Sequence, residues 1–466
     1  MGSPTNAMSM LSMSSSSGKA TNTVAIPLFQ GMEALHILRT DIFATLAARP
    51  DVRVVLLTVS AEKAAYYQKE FPASERLVYE VIAGYRGGPL ERLLGKCKVY
   101  LLKTETMDIK RQLRLRETGA RVRYYVSLVG NRVLAHRPFR ALARWCDAHL
   151  VHDTFFKAVF DTYQPSLIFP AHLFADVEIA LVREAKRRGV CSIGFINSWD
   201  KLTSRCVIRI LPDLLIVPNE LTKREAIVYH DASPADVIVC GPPQFDVYQK
   251  LAPTPRETFC RELGIDGAKR LVLFCPVGRA FSALDWSMIE LLDRAIGDGH
   301  VPSDLHMLVR FPPNDVVEMR ESVDTSRFTF VRPGVRFSSA RGVDWDMGKG
   351  DQQSLVDDIY HSALVICSFS TMSIDAAILD KPIINLDFDG GPAHRMYERT
   401  HYRHILETGG VRRVVNKEAL LGAITGYLAH PEEDAAGRAR IRQEQVWKLD
   451  GAAGKRVAEV ILERLS

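Results

Sequence analysis

The segment Cys367-Ser368-Phe369-Ser370-Thr371-Met372-Ser373-Ile374-Asp375 brings together residue types suited to holding an anion. The apolar run up to Cys367 predicts a buried strand, and the Ser/Thr turn after it leads at once into a helix. Unpaired N–H groups at a helix start, with hydroxyls beside them, attract phosphate groups. A diphosphate suits a turn carrying Ser368, Ser370 and Thr371. Asp375, one turn into the helix, can accept from a ribose hydroxyl or cap the helix start. Lys381-Pro382 ends that helix before the next strand. Ser and Thr cap helices routinely, so the local pattern leaves both readings open.

Other chemistry-bearing residues also follow strand-like runs. Arg279 and Arg310 each come just after one, and a guanidinium is suited to bidentate phosphate contact. An ion pair is the plainer role for either. In Asn197-Ser198-Trp199-Asp200-Lys201, Trp199 can stack on a sugar ring and Asp200 can bind its hydroxyls, with Ser198 beside them. The alternative is a buried Trp anchoring the loop and an Asp capping a turn. Functional side chains concentrate on such loops. His172, in Pro170–Asp176, has the ordinary pKa of a general base for an acceptor hydroxyl. Asp176 is a candidate to orient it or to cap the next helix. Glu33, after the first strand, is a further base candidate or a helix-start carboxylate. Gly31 belongs to no Gly-x-Gly-x-x-Gly string, so no nicotinamide or flavin site is expected.

These residues need a scaffold that places strand ends side by side. Short apolar runs alternate with helical patterns along almost the whole chain, which predicts parallel sheets covered on both faces. Strands are expected at 24–28, 53–57, 166–169, 191–196, 214–217 and 237–240. A second series is expected at 270–275, 307–310, 328–331, 363–367 and 382–386. Gly241-Pro242-Pro243 and the later Pro253 and Pro255 interrupt between the two series. The expected organisation is a disordered tail (1–22), an N-terminal domain (23–250) and a C-terminal domain (251–466) whose last helix crosses back. This is an α/β architecture of two tandem Rossmann-like, doubly wound domains facing a cleft. Ligands in such sheets bind beyond the carboxyl ends of the strands.

The order of these segments resembles the GT-B glycosyltransferase superfamily. It is most similar to its CDP-glycerol glycerophosphotransferase-like and UDP-N-acetylglucosamine 2-epimerase-like branches, over roughly residues 160–460. The resemblance rests on Cys367–Ile384, on Asp213–Val217 with Val237–Asp246, on Phe274–Arg279, on Val309–Asp315 and on Asp450–Arg456. It implies a donor site of Gly278, Arg279, Arg310, Asn314, Ser368, Ser370, Thr371 and Asp375. It implies acceptor contacts at Gly31, Glu33, Ser198 and Trp199, with His172 and Asp200 as catalytic residues. Pro312 stands where such proteins commonly carry His. The implied activity is transfer of a sugar from a nucleotide-diphosphate donor to a glycan or lipid-linked acceptor. Transfer of a polyol phosphate, 2-epimerisation of a UDP-sugar and a non-catalytic nucleotide-sugar scaffold are the alternatives. Two Asp-x-Asp triplets, 344–346 and 387–389, match the metal-binding pattern of GT-A enzymes. The two-domain pattern argues instead for GT-B, so no metal or other cofactor is expected.

Composition agrees with a globular enzyme: 466 residues, 47% hydrophobic, 25% charged, net charge +5. So small an excess on so long a chain argues against a nucleic-acid partner. The charge is unevenly placed. Lys110–Arg144 holds ten Lys/Arg and one acidic residue, a local +9 that leaves −4 for the remainder. Apolar residues interleave with those charges, as in a segment that rests on an anionic membrane surface or guides a lipid-diphosphate acceptor, or in a solvated helix face. Apolar runs all fall short of the ~18–20 residues that span a bilayer, and the N-terminus shows no signal-peptide pattern. The eight Cys form no C-x-x-C pair and several sit in strand-like runs, which suits buried thiols in a reducing compartment. A cytoplasmic protein, peripheral on the inner face of the membrane, is expected.

Overall fold

The computed structural model describes residues 22–465 except 280, 281, 283, 318, 321, 338–344 and 389–393. The expected tail up to residue 21 lies outside the described residues, as do Asp344 and Asp389 of the two triplets. Two parallel sheets carry the fold. The first contains β1 (Asn22–Leu28), β2 (Val52–Thr58), β3 (Leu77–Val81), β4 (Leu167–Ile168), β5 (Cys191–Phe195), β6 (Leu214–Val217) and β7 (Val237–Val239). Its order is β3-β2-β1-β4-β5-β6-β7. The second domain adds β8 (Arg270–Cys275), β9 (Leu305–Arg310), β10 (Phe328–Val331), a short hairpin of β11 (Val335–Arg336) and β12 (Trp345–Asp346), then β13 (Ser362–Cys367), β14 (Ile383–Leu386) and β15 (Arg412–Val414). Its sheet runs β10-β9-β8-β13-β14-β15. Both orders reverse direction beside the first strand of the domain, between β1 and β4 and between β8 and β13. A crevice opens at such a reversal.

The strands read as apolar runs because both faces are covered. Val24, Ile26 and Leu28 pack into one core layer with Val54 and Leu56, while Ala25, Val55 and Leu57 face the other. The edge strands β3 and β15 escaped the sequence reading. β3 is only half-buried and contains Glu80, and β15 holds two Arg in three residues. An edge strand buries less and so carries a weaker apolar signature.

Between β3 and β4 the chain makes a run of helices, including Pro89–Cys97, Glu105–Thr118, Arg121–Leu134 and Arg137–Leu150. A buried ionic network fastens this platform to the first domain. Arg183 donates to Glu91 at 2.8 Å and to Asp147 at 2.6 Å, all three about 1% exposed. Arg209 adds a 2.5 Å bond to Asp147 and a 3.1 Å bond to Asp176. Asp176 also receives Lys98 at 2.9 Å and caps nothing; Ala175 occupies the cap position.

The last helix, Ala453–Glu463, packs on the helix Asp41–Ala48 of the first domain. Val457 and Ile461 are fully buried in the layer that holds Val24 and Ile26. Asp246, at the junction between the domains, accepts from the N–H groups of Ala453 (3.1 Å) and Gly454 (2.8 Å) and so fixes the start of this helix. We propose the domain boundary at 250/251, between the two sheets and just after this anchor. Ile461→Ala should lower stability by about 2–5 kcal/mol through the cavity it leaves. Urea denaturation monitored by circular dichroism measures this loss, and an unchanged midpoint would mean that the helix contributes nothing to the first core.

Candidate active site in the interdomain cleft

A cavity of about 500 Å³ lies between the carboxyl ends of the two sheets. That volume is in the range of small-ligand sites. The second domain supplies one wall from the crossover of its sheet. Cys275 ends β8 with Pro276 and Val277 after it, and Phe369, Ser370 and Thr371 follow β13. Arg310, Asn314 and Asp375 line the same side. The first domain supplies the facing wall with Asn197, Ser198, Trp199 and Asp200 after β5, together with His36.

The donor candidates divide into two groups. Ser370, Thr371, Asp375, Arg310 and Asn314 meet on the cavity wall. Ser370 Oγ accepts from the N–H of Met372 at 3.2 Å, so it already serves the helix start Met372–Ile378. Thr371 is exposed and makes no side-chain cap bond. Asp375 is buried and accepts from Tyr248 Oη at 2.7 Å; burial pushes its carboxyl up to about 6. Arg310 is 5% exposed and its guanidinium is largely engaged. It donates to Asp358 at 2.5 Å, to Ser354 at 2.9 Å and to the Asp351 carbonyl at 3.1 Å. Burial lifts Asp358 to about 6 even against Arg310. Gly278, Arg279 and Ser368 stand off the cavity wall. The N–H of Gly278 donates to Asp285 at 2.8 Å. Its φ of 90° requires glycine, and an added Cβ would meet Asp315. Arg279 is exposed, and its backbone N–H donates to the Val316 carbonyl. The Ser368 carbonyl accepts from Tyr402 Oη at 3.2 Å.

On the facing wall, Asp200 is held by two hydroxyls, Ser198 at 2.6 Å and Ser204 at 2.9 Å. Burial works against its charge, yet the Ser198 and Ser204 hydroxyls and Arg205 keep it below the usual carboxylate range. Trp199 reaches across to the second domain, edge-on to His401 (5.1 Å) and Tyr402 (5.6 Å). His172 lies behind this wall, 4% exposed, with Nδ1 3.5 Å from Glu178. Burial, together with Lys201, Arg205 and Lys98, holds its pKa well below the ordinary value, so the ring is neutral. Glu33 is also behind the wall, with no exposed surface. Its Oε2 accepts from the Gln30 N–H at 2.8 Å in a capping box. Burial, then Glu178, pushes Glu33 up to about 8; burial lowers Lys201 to about 8 in the same cluster. Gly31 is an interdomain contact: a Cβ there would lie 1.6 Å from the Trp345 carbonyl oxygen.

Three cleft residues lay outside the sequence reading. His36 sits in the π-helical turn Ala34–Leu38, where the 3.6-residue pattern gives no cue. Arg399 and His401 come from the second domain beside Thr400–Glu407. The run Thr400-His401-Tyr402-Arg403-His404 was a readable signal for them. Burial lowers His401 to about 4, so this ring too is neutral near pH 7. Of the Asp-x-Asp triplets, Asp346 is paired with Arg39 and Asp387 with Arg413. Among the described residues no group of three His, Cys, Asp or Glu is arranged to hold a metal ion.

The fold is shared with proteins of low sequence identity. The putative UDP-N-acetylglucosamine 2-epimerase from Listeria monocytogenes superposes with a TM-score of 0.55 at 12% identity, covering 96% of this chain and 97% of that one. UDP-GlcNAc 2-epimerase from Neisseria meningitidis, bound to UDP-GlcNAc, gives 0.51 at 12% identity, with 95% and 100% covered. A variant of the wall teichoic acid polymerase TagF soaked with CDPG gives 0.50 at 11% identity, with 96% and 89% covered. These likenesses establish two Rossmann-like domains of the GT-B class. A search of curated proteins returns no match. The sequence model of the CDP-Glycerol:Poly(glycerophosphate) glycerophosphotransferase family matches residues 210–463, more than half of the chain and all of the donor-side wall. The chain therefore belongs to that glycerophosphotransferase family and is a GT-B transferase.

Proposed function

We propose that this protein binds a nucleotide-diphosphate-activated donor in the interdomain cleft and transfers a polyol phosphate from it to a hydroxyl of a glycan or lipid-linked acceptor. The observation that carries this reading is the cavity itself. It joins a Ser/Thr turn at the crossover of the second sheet, inside the span of the family match, to an ionised carboxylate on the first domain. The family match favours a polyol phosphate of the CDP-glycerol type over the sugar expected from the sequence.

In this scheme Ser370 and Thr371 hold the diphosphate, with Asn314 beside it. The Asp375 carboxylate faces the nucleoside. Arg310, held by Asp358, lends a fixed positive charge to the same wall. Gly278, Arg279 and Ser368 shape the loops behind the donor. Trp199 and Ser198 line the acceptor side, and Gly31 and Glu33 support that side from beneath. The acceptor oxygen attacks the distal phosphorus of the donor. An acceptor O–P bond forms, the bridging P–O bond breaks, and a nucleoside monophosphate leaves. The acceptor proton passes to Asp200, whose charge is maintained by Ser198, Ser204 and Arg205. His172 supports the wall from behind. The proposed setting is the cytoplasmic side of a membrane, with peripheral contact through the basic segment 110–144.

Nucleotide binding and turnover separate the two walls. Ser370→Ala combined with Thr371→Ala should weaken CDP-glycerol binding by about 0.5–3 kcal/mol per lost bond, measured by calorimetry. In a thermal-shift series with CDP-, UDP- and GDP-linked donors, a ligand at about 100 times its Kd adds roughly 2.7 kcal/mol. If no donor raises the melting temperature, the cleft is not a donor site.

Asp200→Asn should leave donor affinity nearly intact and lower kcat by about 100- to 10,000-fold. His172→Ala, which removes a buried neutral ring, should change kcat far less. If the order of the two effects is reversed, His172 becomes the base.

Donor affinity should also depend on pH. Asp375 and Asp358 are protonated below about 6 and become charged above it. A diphosphate diester keeps its charge over that range, so binding should weaken as pH rises from 5 to 7. Asp375→Asn should flatten part of that dependence. An equally steep profile in that variant would remove Asp375 from the donor wall.

A further inference from the structure

Two cations from different domains meet beside Asp200. The helix Glu105–Thr118 of the first domain leans across to the second: the Thr106 hydroxyl accepts from the Thr400 N–H at 3.1 Å and donates to the Thr400 hydroxyl at 3.2 Å. Lys110 follows Thr106 by four residues and so stands on the same face of that helix. Arg399 immediately precedes Thr400 and lines the cleft. The Thr106–Thr400 contact therefore pins the two cations near each other. Burial, then the Arg399 charge, lowers Lys110 to about 8. Burial lowers Arg399 too, and Asp200 is the charge that opposes this.

The protein leaves donors at this spot unused. Arg399 Nε is buried without a hydrogen-bond partner, and so is Nδ1 of His401, two residues further on. Both residues face the cavity that holds Asp200. The Lys110 ammonium, with three donors, donates to the Ser204 carbonyl. Arg205, exposed on the first domain, adds a third positive charge near Asp200. One carboxylate thus faces three cations. Like charges held together are unfavourable, and so are buried donors without partners. An anion entering between them offsets both costs. The donor wall is built the other way, with Arg310 committed to Asp358 and a further buried carboxyl in Asp375. A negative group in the cleft is therefore drawn toward Arg399 and Lys110.

We propose that Arg399 and Lys110, with Nδ1 of His401, form a binding subsite for a phosphate group carried next to the reacting hydroxyl. This deepens the function proposed above and rests on that reading only for the substrate that brings the phosphate. Two sources share the chemistry: the donor phosphate under attack, and a phosphate ester on the acceptor. A guanidinium presents a planar fork to two phosphate oxygens, and an ammonium adds a point charge. The neutral His401 ring donates from Nδ1 in the tautomer that carries its proton there. Asp200 repels the phosphate while accepting from the hydroxyl. The subsite therefore orients the substrate, hydroxyl toward Asp200 and phosphate toward Arg399.

The experiment is calorimetric titration of the full chain with glycerol phosphate alone, without nucleotide. The wild-type chain should bind it at one site. Arg399→Gln and Lys110→Gln should each weaken binding by about tenfold to a hundredfold, and Arg399→Lys should restore most of it. Arg403→Gln, which removes a surface pair with Glu105 on the same interdomain contact, should bind as the wild type does. Arg399 Nε has no partner to lose, so Arg399→Gln should leave the melting temperature unchanged. Two further measurements name the source. If the affinity for CDP-glycerol falls in Arg399→Gln, the subsite holds the donor phosphate. If only the KM of a phosphate-bearing acceptor rises, while that of the same polyol without phosphate does not, it holds the acceptor's. The proposal is overturned if the wild-type chain ignores glycerol phosphate, if neither substitution weakens binding, or if Arg403→Gln weakens it equally. A chain that binds CDP-glycerol but is indifferent to Arg399 and Lys110 in every titration loses the subsite and keeps its donor site. A chain that binds glycerol phosphate through Arg399 but no nucleotide donor keeps the subsite and loses the donor reading.

Discussion

Two opposite charges with almost no solvent contact join the halves of this protein. Arg39 of the first domain donates to Asp346 of the second at 2.9 Å and forms an ion pair with its other oxygen at 2.7 Å, with 1% and 0% of the side chains exposed. Arg39 also bonds Glu70 at 3.0 Å. Separating such a pair without replacing either partner leaves a buried charge uncompensated, which is strongly unfavourable. The domains are thus held at a definite spacing. Gly31 completes the contact, because its missing side chain lets the chain approach the Trp345 carbonyl. The cleft owes its dimensions to these contacts and to the last helix, which Asp246 ties back onto the first domain.

That fixed spacing explains why the chemistry sits on two walls. Trp199 leaves the first domain and packs edge-on against His401 and Tyr402 of the second, so the loop bearing Asp200 is braced from both sides. Asp200 remains ionised where burial alone would protonate it, because two hydroxyls and the Arg205 guanidinium stabilise its charge. Glu33, in the layer below, has one capping bond and a carboxylate neighbour in Glu178, and burial decides its state. Two carboxylates near one loop therefore rest in opposite protonation states at neutral pH, set by their surroundings.

The helical platform obeys the same economy of burial. Arg183, Glu91, Asp147 and Arg209 pair with one another inside it. On the helix Arg121–Leu134 the buried Asn131 points inward while Val122, Val126, Val129 and Val133 face outward. The basic segment, which its composition leaves open between a membrane surface and a solvated face, carries an apolar stripe with a cationic rim.

By itself the sequence determined the class of fold, the two strand series and the family. These follow from local pattern: fully covered parallel strands must be apolar throughout, and the Ser/Thr turn after β13 is contiguous in the chain. It also located the residues that do meet at the cleft, Ser370, Thr371, Asp375, Arg310, Asn314, Ser198, Trp199 and Asp200. Only the tertiary structure decided which strand-end residues reach the cavity. His172, Glu33 and Gly31 follow strands as Asp200 does, but packing from helices and from the other domain buries them. Gly278 and Arg279 turn aside because Asp285 and Val316 take their backbone N–H groups. His401 and Arg399 join the site from a helix some 200 residues beyond Asp200, a proximity that loop closure between domains creates and local sequence does not encode. The edge strands β3 and β15 were hidden for a related reason, since half-exposed strands need no apolar pattern, and their pairing partners lie elsewhere in the chain.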